Sequence, residues 1–171
     1  MRVINYLILS CFFTIFMFLY SCSGYKPIFS STNLNFEISN HSVSGDRILG
    51  NQLYAQIKKS SQKSKAEKSP YNFDIFIDVL KNKEATTKSS TGKILEYRIT
   101  LNTNFKVNDN LTKEKLINTR LSYSTSYKVQ EKHSDTIKTE NKTIEDLMNK
   151  TFQELLIRLS EIIKKNDNKK F

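Results

Sequence analysis

Apolar and polar side chains alternate through most of residues 71–129. The pattern occurs in three segments, each of which is expected to form a strand with one apolar and one polar side. Polar stretches at residues 81–93, which contain Gly92, and at residues 108–115 predict the turns between them. The sequence therefore predicts an antiparallel meander with one buried and one solvated face. The predicted apolar sides are Tyr71, Phe73, Ile75, Ile77 and Val79; Leu95, Tyr97, Ile99, Leu101, Thr103, Phe105 and Val107; and Ile117, Thr119, Leu121, Tyr123, Thr125, Tyr127 and Val129.

Two other segments have the spacing of amphipathic helices. The first covers about residues 46–60, with Ser44 expected to cap it and Asp46 in its first turn. Gly50 lowers its helix propensity but would let the helix approach a sheet closely. The second helix is predicted from Thr139 or Thr143 to Lys165. The apolar residues of this segment form a continuous stripe, and the width of the stripe is that of a helix packed on a sheet.

A short alternating segment at residues 33–38 predicts one more strand before the first helix, and the polar residues 40–45 are expected to end it. The lysine-rich residues 58–70 predict a solvated loop. The element order is thus β-α-β-β-β-α, which predicts an α+β fold: a two-layer sandwich with a four-stranded mixed or antiparallel sheet and two helices on one face. Meander strands of about 13 residues would span about 43 Å, so their tips are expected to project beyond the helices.

The N-terminus has the layout of a secretory signal peptide. Arg2 precedes an apolar run that closes on Leu19-Tyr20-Ser21-Cys22. A leucine three residues before a cysteine resembles a bacterial lipobox, in which the cysteine receives lipid and becomes the new N-terminus. Tyr20 stands where a small or β-branched residue is usual, and an uncleaved membrane anchor is the alternative, since ~20 apolar residues suffice to span a bilayer. Both interpretations place the rest of the chain outside the cytoplasm.

This interpretation divides the 171-residue chain into four parts. Residues 1–21 are the predicted signal peptide and residues 22–33 a lipidated tether. Residues 34–165 form a single α+β domain, and residues 166–171 are a polar tail. The only other cysteine, Cys11, leaves with the signal, so the domain has no thiol for a disulfide or a metal.

The chain is strongly basic, with a net charge of +10 that falls to +9 when Arg2 is removed with the signal. Such an excess favours a polyanionic neighbour, although codon bias toward lysine and asparagine would also contribute. Export excludes nucleic acid as the natural partner. A lipid or glycolipid surface bearing phosphate is therefore the favoured partner class.

No catalytic constellation is present in the sequence. His41 and His133 both fall in predicted polar turns, and neither a nucleophile elbow nor an HExxH or glycine-rich phosphate motif occurs. We therefore expect no enzyme activity, no cofactor and no metal site. The candidate ligand residues are the four cations on the polar side of the meander, which would bind an anionic lipid or serve as ordinary solvated positions: Arg98, Lys106, Arg120 and Lys128.

The layout resembles the LPS-assembly lipoproteins, the LptE family, in their alphaproteobacterial form. The resemblance covers nearly the whole chain after the signal. It begins with Cys22-Ser23-Gly24-Tyr25-Lys26-Pro27-Ile28-Phe29, similar to the family's opening motif with one residue inserted. It continues with Asp46-Arg47 through Asn51-Gln52-Leu53, Tyr97-Arg98-Ile99, the segment from Arg120 to Tyr127, and the closing amphipathic helix.

The resemblance implies an outer-membrane lipoprotein on the periplasmic side, anchored by its N-terminal lipid. It implies a domain that sits inside a large β-barrel, LptD, as a plug and assembly partner, and that helps deliver lipopolysaccharide to the cell surface. Polar strand faces suit a water-lined barrel interior. The alternative is a periplasm-facing lipoprotein that binds an anionic ligand or peptidoglycan without a barrel partner.

Overall fold

A computed structural model describes residues 34, 36–61 and 71–167 of the chain. Several predicted parts lie outside the described residues: the signal peptide (residues 1–21), the tether with its predicted lipidation site Cys22 (residues 22–33), part of the lysine-rich loop (residues 62–70) and residues 168–171 of the tail. The observed element order is β-α-β-β-β-α, as predicted. The elements are β1 (Glu37–Gly45), α1 (Arg47–Ser61), β2 (Asn72–Lys88), β3 (Ile94–Asp109), β4 (Lys115–Lys128) and α2 (His133–Asp167).

The four strands form one mixed sheet in the order β1-β2-β3-β4. β1 runs parallel to β2, while β2, β3 and β4 form the predicted antiparallel meander. Both helices lie on one face of the sheet and pack on the strands and on each other. The α+β sandwich is therefore confirmed, and the side of the sheet away from the helices, here called the open face, is not covered by any described element.

β1 lies further along the chain than its sequence pattern predicts: it begins at Glu37 and shares only Glu37 and Ile38 with the predicted segment 33–38. The polar residues 40–45 were expected to break the strand, but they pair with residues 74–79 of β2. Parallel pairing satisfies their backbone groups, and the polar side chains of Asn40, Ser42 and Ser44 are placed on the open face. The polar side chains of this segment therefore indicate a solvated face of the strand and not its end.

β2 also continues through a stretch that was predicted to be a turn. Residues 81–88 are exposed but remain paired with β3, and the actual turn is confined to residues 89–93. Gly92 has a φ of 83°, a left-handed conformation that glycine adopts without steric cost. Since both faces of this extension contact solvent, its sequence shows no alternation from which a strand could be inferred.

The cap of α1 is Asp46 rather than Ser44. The amide of Leu49 donates to Asp46 Oδ1 at 3.2 Å, which is the bond expected of an N-cap acid. Ser44 instead donates its hydroxyl to Asp78 Oδ1 on β2, at 2.9 Å. The serine thus belongs to the sheet, and the predicted helix bounds were otherwise correct to within one residue.

α2 begins six to ten residues earlier than expected, at His133. His133 is therefore the first residue of a helix and not part of a polar turn. The buried Thr136 accepts the Gln130 amide at 2.9 Å, which joins the helix start to the chain leaving β4. Polar contacts with the strand extension, rather than an apolar stripe, hold this first segment.

The core lies between the helices and the sheet. Phe73 and Phe105 from the strands are fully buried, as are Leu53 from α1 and Leu155 from α2. Every residue on the predicted apolar side of β2 is buried, and so are residues 99–107 of the β3 apolar side, including Thr103. No helix among the described residues combines the length and apolarity needed to cross a bilayer.

Candidate functional site: the open face of the sheet

A row of hydrogen-bonded side chains crosses the open face from one edge strand to the other. Asp78 on β2 accepts from Ser44 on β1 at 2.9 Å and from the Asn104 amide on β3 at 2.8 Å. Asn104 in turn accepts from Arg120 Nε on β4, also at 2.8 Å. The four residues are cross-strand neighbours in the sheet register, so each strand contributes one member. Cross-strand pairs of this kind fix side-chain positions on a sheet.

The row holds Asp78 as a carboxylate. The hydrogen bonds from Asn104 and Ser44 lower the pKa of Asp78, with a further contribution from the nearby charges of Arg120 and Lys106. These interactions outweigh the opposing effect of partial burial. Arg120 is therefore oriented by a neutral amide that is itself fixed by an anion, and its guanidinium has other donors with which to bind a ligand.

A second acid, four residues nearer the start of β2, lies on the same side of the strand. Asp74 is buried and accepts from the Asn40 side chain at 2.9 Å and from Lys113 Nζ at 3.1 Å. The hydrogen bond from Asn40 lowers the pKa of Asp74 despite its burial, and Lys113 adds to the effect. Lys113 has a positive φ of 58° in the β3–β4 turn, where it can reach back to this carboxylate.

The four cations predicted from sequence all lie on the open face, but in two separate pairs. Lys106 and Arg120 are diagonal neighbours, because Asn104 is opposite Arg120 and Lys106 is opposite Asn118. Arg98 and Lys128 are also diagonal neighbours, since Glu96 is opposite Lys128. Lys106 and Arg98 are eight residues apart on β3, which corresponds to about 26 Å.

The two pairs have different surroundings. Arg98 lies 3.7 Å from Glu84, so its charge is partly matched within the sheet. Lys106 and Arg120 also lie near an acid, Asp78, but they line an open depression of about 890 Å³, together with Phe76, Lys115 and polar residues of all four strands. Phe76 is 40% exposed on this mostly polar face, and Leu80, further along β2 on the same side, is 62% exposed. The Lys106–Arg120 end therefore combines cations, hydrogen-bonding groups and one aromatic ring, which suits an anionic ligand with an apolar part.

A cluster on the helix side of the sheet was not anticipated from sequence. Lys83 of the β2 extension pairs with Glu140 of α2 at 2.5 Å, and Tyr127 donates to the same Glu140 oxygen at 2.8 Å. The Lys83 ammonium also lies 4.4 Å from the centre of the Tyr97 ring. Burial alone would raise the pKa of Glu140, but the hydrogen bonds from Lys83 and Tyr127 outweigh it and the pKa is lowered. Lys83 lies in a segment that was predicted to be a turn, so no pattern in the sequence linked it to Tyr127 or Glu140.

The described residues contain no group of three or more histidine, cysteine, aspartate or glutamate side chains arranged to hold a metal ion. The ring of His41 stacks on Tyr54 of α1, with centroids 3.8 Å apart. Both His41 and His133 lie within the described residues, and both side chains are exposed.

Comparison with protein families gives one match. The profile of the LptE family, described as "Lipopolysaccharide-assembly", matches residues 32–159. The matched range includes every strand of the sheet, α1 and most of α2. No curated protein sequence matches the chain.

Several solved lipoprotein structures share the fold. Lipoprotein B from Nitrosomonas europaea superposes with a TM-score of 0.58 at 18% identity, over 82% of this chain and 93% of its own. Rare lipoprotein B from Shewanella oneidensis gives 0.54 at 11% identity, over 77% and 99%. A minor lipoprotein from Acinetobacter baumannii gives 0.53 at 11% identity, over 74% and 92%.

Proposed function

The chain belongs to the LptE family of lipopolysaccharide-assembly proteins, and from this membership we propose that it is an outer-membrane lipoprotein that supports an LptD-type β-barrel in moving lipopolysaccharide to the cell surface. Cys22 would carry the N-terminal lipid and hold the domain on the periplasmic side of the membrane. The role proposed is that of a binding and assembly protein, not of an enzyme.

The observation that carries the proposal is the open face of the sheet. Its side chains are mostly polar, with Phe76 and Leu80 as exposed apolar exceptions, and four of them are fixed by hydrogen bonds in the row Ser44–Asp78–Asn104–Arg120. A domain without a partner on this face would gain little stability from ordering its solvated side chains. A domain inserted in a water-filled barrel, in contrast, needs a polar surface of fixed shape. The core of the chain is complete on the other face, so the open face is available for a partner.

Charge supports lipopolysaccharide as the ligand. The chain has a net charge of +10, and the Lys106–Arg120 pair sits beside an exposed aromatic ring. Phosphate groups on a glycolipid would interact with the two cations, and acyl or sugar surface with Phe76. Binding at this end is proposed as the primary contact, with Arg98 and Lys128 contributing less.

The barrel partnership is tested by purification of the full-length chain from outer membranes in a mild detergent. We expect a large β-barrel protein to be recovered in stoichiometric amount. Recovery of the chain alone from the membrane fraction would contradict the partnership and would favour a free periplasm-facing lipoprotein that binds an anionic ligand or peptidoglycan.

The ligand site is tested by two matched double substitutions, K106E/R120E and R98E/K128E. Both change the net charge by the same amount and both lie on the open face. We expect lipopolysaccharide affinity to fall about tenfold or more in the first variant and much less in the second. An equal loss in both would indicate attraction by overall charge and would remove the specific site from the proposal.

A further inference from the structure

The sheet has two backbone edges, and the hydrogen-bond pattern shows which residues face each of them. The carbonyls of Tyr71 and Val79 accept from Glu37 and Asp46, so the odd-numbered residues of β2 face the β1 side. β1 pairs with β2 only as far as Val79. Beyond that point, Lys81, Lys83 and Ala85 present their backbone groups to an edge that no described strand fills.

The second backbone edge lies on β4, on the side away from β3. The amide of Val129 donates to the Leu95 carbonyl, and the β3–β4 register is regular between Ile117 and Lys128. The odd-numbered residues of β4 therefore face β3, and the even-numbered ones face outward. Backbone N–H and C=O groups of five residues point to a second edge that no described strand covers: Asn118, Arg120, Ser122, Ser124 and Ser126.

The two edges differ in how they are protected against pairing. The β2 edge carries Lys81, Lys83 and Lys88, and its register is interrupted between Ala85 and Lys88. Lysines and bulges are the devices by which natural sheets prevent edge-to-edge association. The β2 extension is therefore a protected edge.

The β4 edge has none of these devices in its central part. Residues 121–127, LSYSTSY, contain no charged residue and no proline, and the pairing shows no bulge there. Tyr123, Thr125 and Tyr127 are of residue types that favour extended structure. An unprotected edge of this length would be a liability in a free protein, so its presence beside a protected one indicates that it is normally paired.

We propose that the β4 edge is a strand-addition site, at which an extended, acid-bearing segment of the barrel partner pairs with Asn118–Ser126 and extends the sheet by one strand. The proposal rests on the proposed function, since it names the surface by which that partner is bound. Main-chain hydrogen bonds would supply the affinity of such a contact, and alternate side chains its specificity.

Charge defines the chemistry of the added strand. Lys115 and Arg120 flank the central segment on one side and Lys128 on the other. From α2, Lys150 reaches to 4.6 Å from the Tyr123 ring, on the helix side of the same strand. An incoming strand would thus meet cations near both of its ends, and acidic residues there would be favoured. A second copy of this chain, at +10, would be repelled.

Hydrogen exchange resolved to single amides tests the proposal on the full chain, free and in the barrel complex recovered from membranes. In the free chain, the amides of Arg120, Ser122, Ser124 and Ser126 should exchange rapidly. In the complex, we expect at least a hundredfold slower exchange at these even-numbered positions. The odd-numbered amides of β4 should be protected in both states, because they already bond to β3.

Proline substitution provides the matched comparison. Ser124→Pro and Ala85→Pro each remove one outward-facing amide from an exposed edge position, and proline is tolerated where that amide faces solvent. We expect Ser124→Pro to reduce recovery of the barrel at least tenfold, and Ala85→Pro to leave it unchanged. Ser124→Glu, which keeps the amide and adds a charge that would repel an acidic strand, should also reduce recovery of the barrel and provides a second test should the proline variant not fold.

The outcomes separate the inference from the proposed function. A recovered barrel with unprotected β4 amides, or equal recovery with both proline variants, overturns strand addition and leaves the partnership intact. Failure to recover any barrel with the unmodified chain overturns both. Protection of the β4 edge that appears in the isolated chain with rising concentration would assign the edge to a second copy and overturn the proposal.

Discussion

Gly50 of α1 packs against Val43 of β1 more closely than any other residue type would allow. A β-carbon at position 50 would lie 2.4 Å from Val43 Cγ1, well inside van der Waals contact. Gly50 is buried, and its φ is not in the left-handed region, so space and not backbone conformation requires the glycine. This contact sets how closely α1 approaches the parallel edge of the sheet.

We predict that Gly50→Ala destabilises the fold by roughly 1–3 kcal/mol, because Val43 is β-branched and cannot swing aside without strain. Alanine is the better helix former by up to ~1 kcal/mol, which opposes the effect but does not cancel it. Chemical denaturation monitored by circular dichroism measures the change. Asn51→Ala, at an exposed position in the same helix, is the control and should be neutral or slightly stabilising.

A double-mutant cycle makes the cause of this loss testable. In a Val43→Ala background the clash is removed, so the same Gly50→Ala change should become neutral or stabilising. An undiminished loss in that background would mean that position 50 needs glycine for a reason other than contact with Val43.

Asp78 gives the fold a dependence on acid pH. Its pKa is lowered by the hydrogen bonds from Asn104 and Ser44, so its ionised form stabilises the folded state. This contribution is complete above the unfolded-state value of about 3.9 and is lost as pH falls through the lower folded-state pKa. Asp78→Asn should therefore cost about 1 kcal/mol at neutral pH and lose less stability below pH ~4. Ser122→Ala, on the same face, should keep the wild-type slope in a thermal melt series from neutral pH to pH ~3.

The fold was predictable because the core-facing sides of its strands are continuous. Alternation at Phe73, Ile75 and Phe105 identified the meander, and helical spacing identified both helices. The errors occurred where one structural element has solvent on both sides, as in residues 81–88, or where polar contacts replace apolar ones, as at the start of α2. Hydrophobic periodicity arises because one side of an element is buried. These segments bury few apolar side chains, so the sequence shows no periodicity from which they could be predicted.

The open face was predictable as a set of residues but not as a site. Alternation placed Arg98, Lys106, Arg120 and Lys128 on one face, yet their division into two pairs depends on strand register. The register also joins Ser44, Asp78 and Asn104 to Arg120, and no local pattern in the sequence links residues so far apart in the chain. Pairing between strands is fixed by the core on the opposite face, and the polar row follows from it.

Glu140 holds the first turns of α2 against the strand extension, through Lys83 and Tyr127. We predict that Glu140→Ala speeds hydrogen exchange at residues 137–142, the first amides bonded within the helix, at least tenfold, with a global stability loss of about 1 kcal/mol or less, because the pair is partly exposed. Glu145→Ala, on an exposed position of the same helix, should leave this exchange unchanged. Unaltered protection in Glu140→Ala would show that other contacts, such as those of Thr136, suffice to hold the helix start.

Thr103 is fully buried in the centre of the apolar layer, and its hydroxyl has no hydrogen-bond partner among the described residues. Valine has nearly the same shape and removes an unpaired polar group, so Thr103→Val should stabilise the fold by about 1 kcal/mol. Thr151 provides the matched control, because it is equally buried but donates to the Leu147 carbonyl at 2.9 Å. The same change at Thr151 should be neutral or destabilising in denaturant titrations. A loss of stability at position 103 would mean that its hydroxyl has a partner in solution, and the core between β2, β3 and β4 would then have to admit a water molecule.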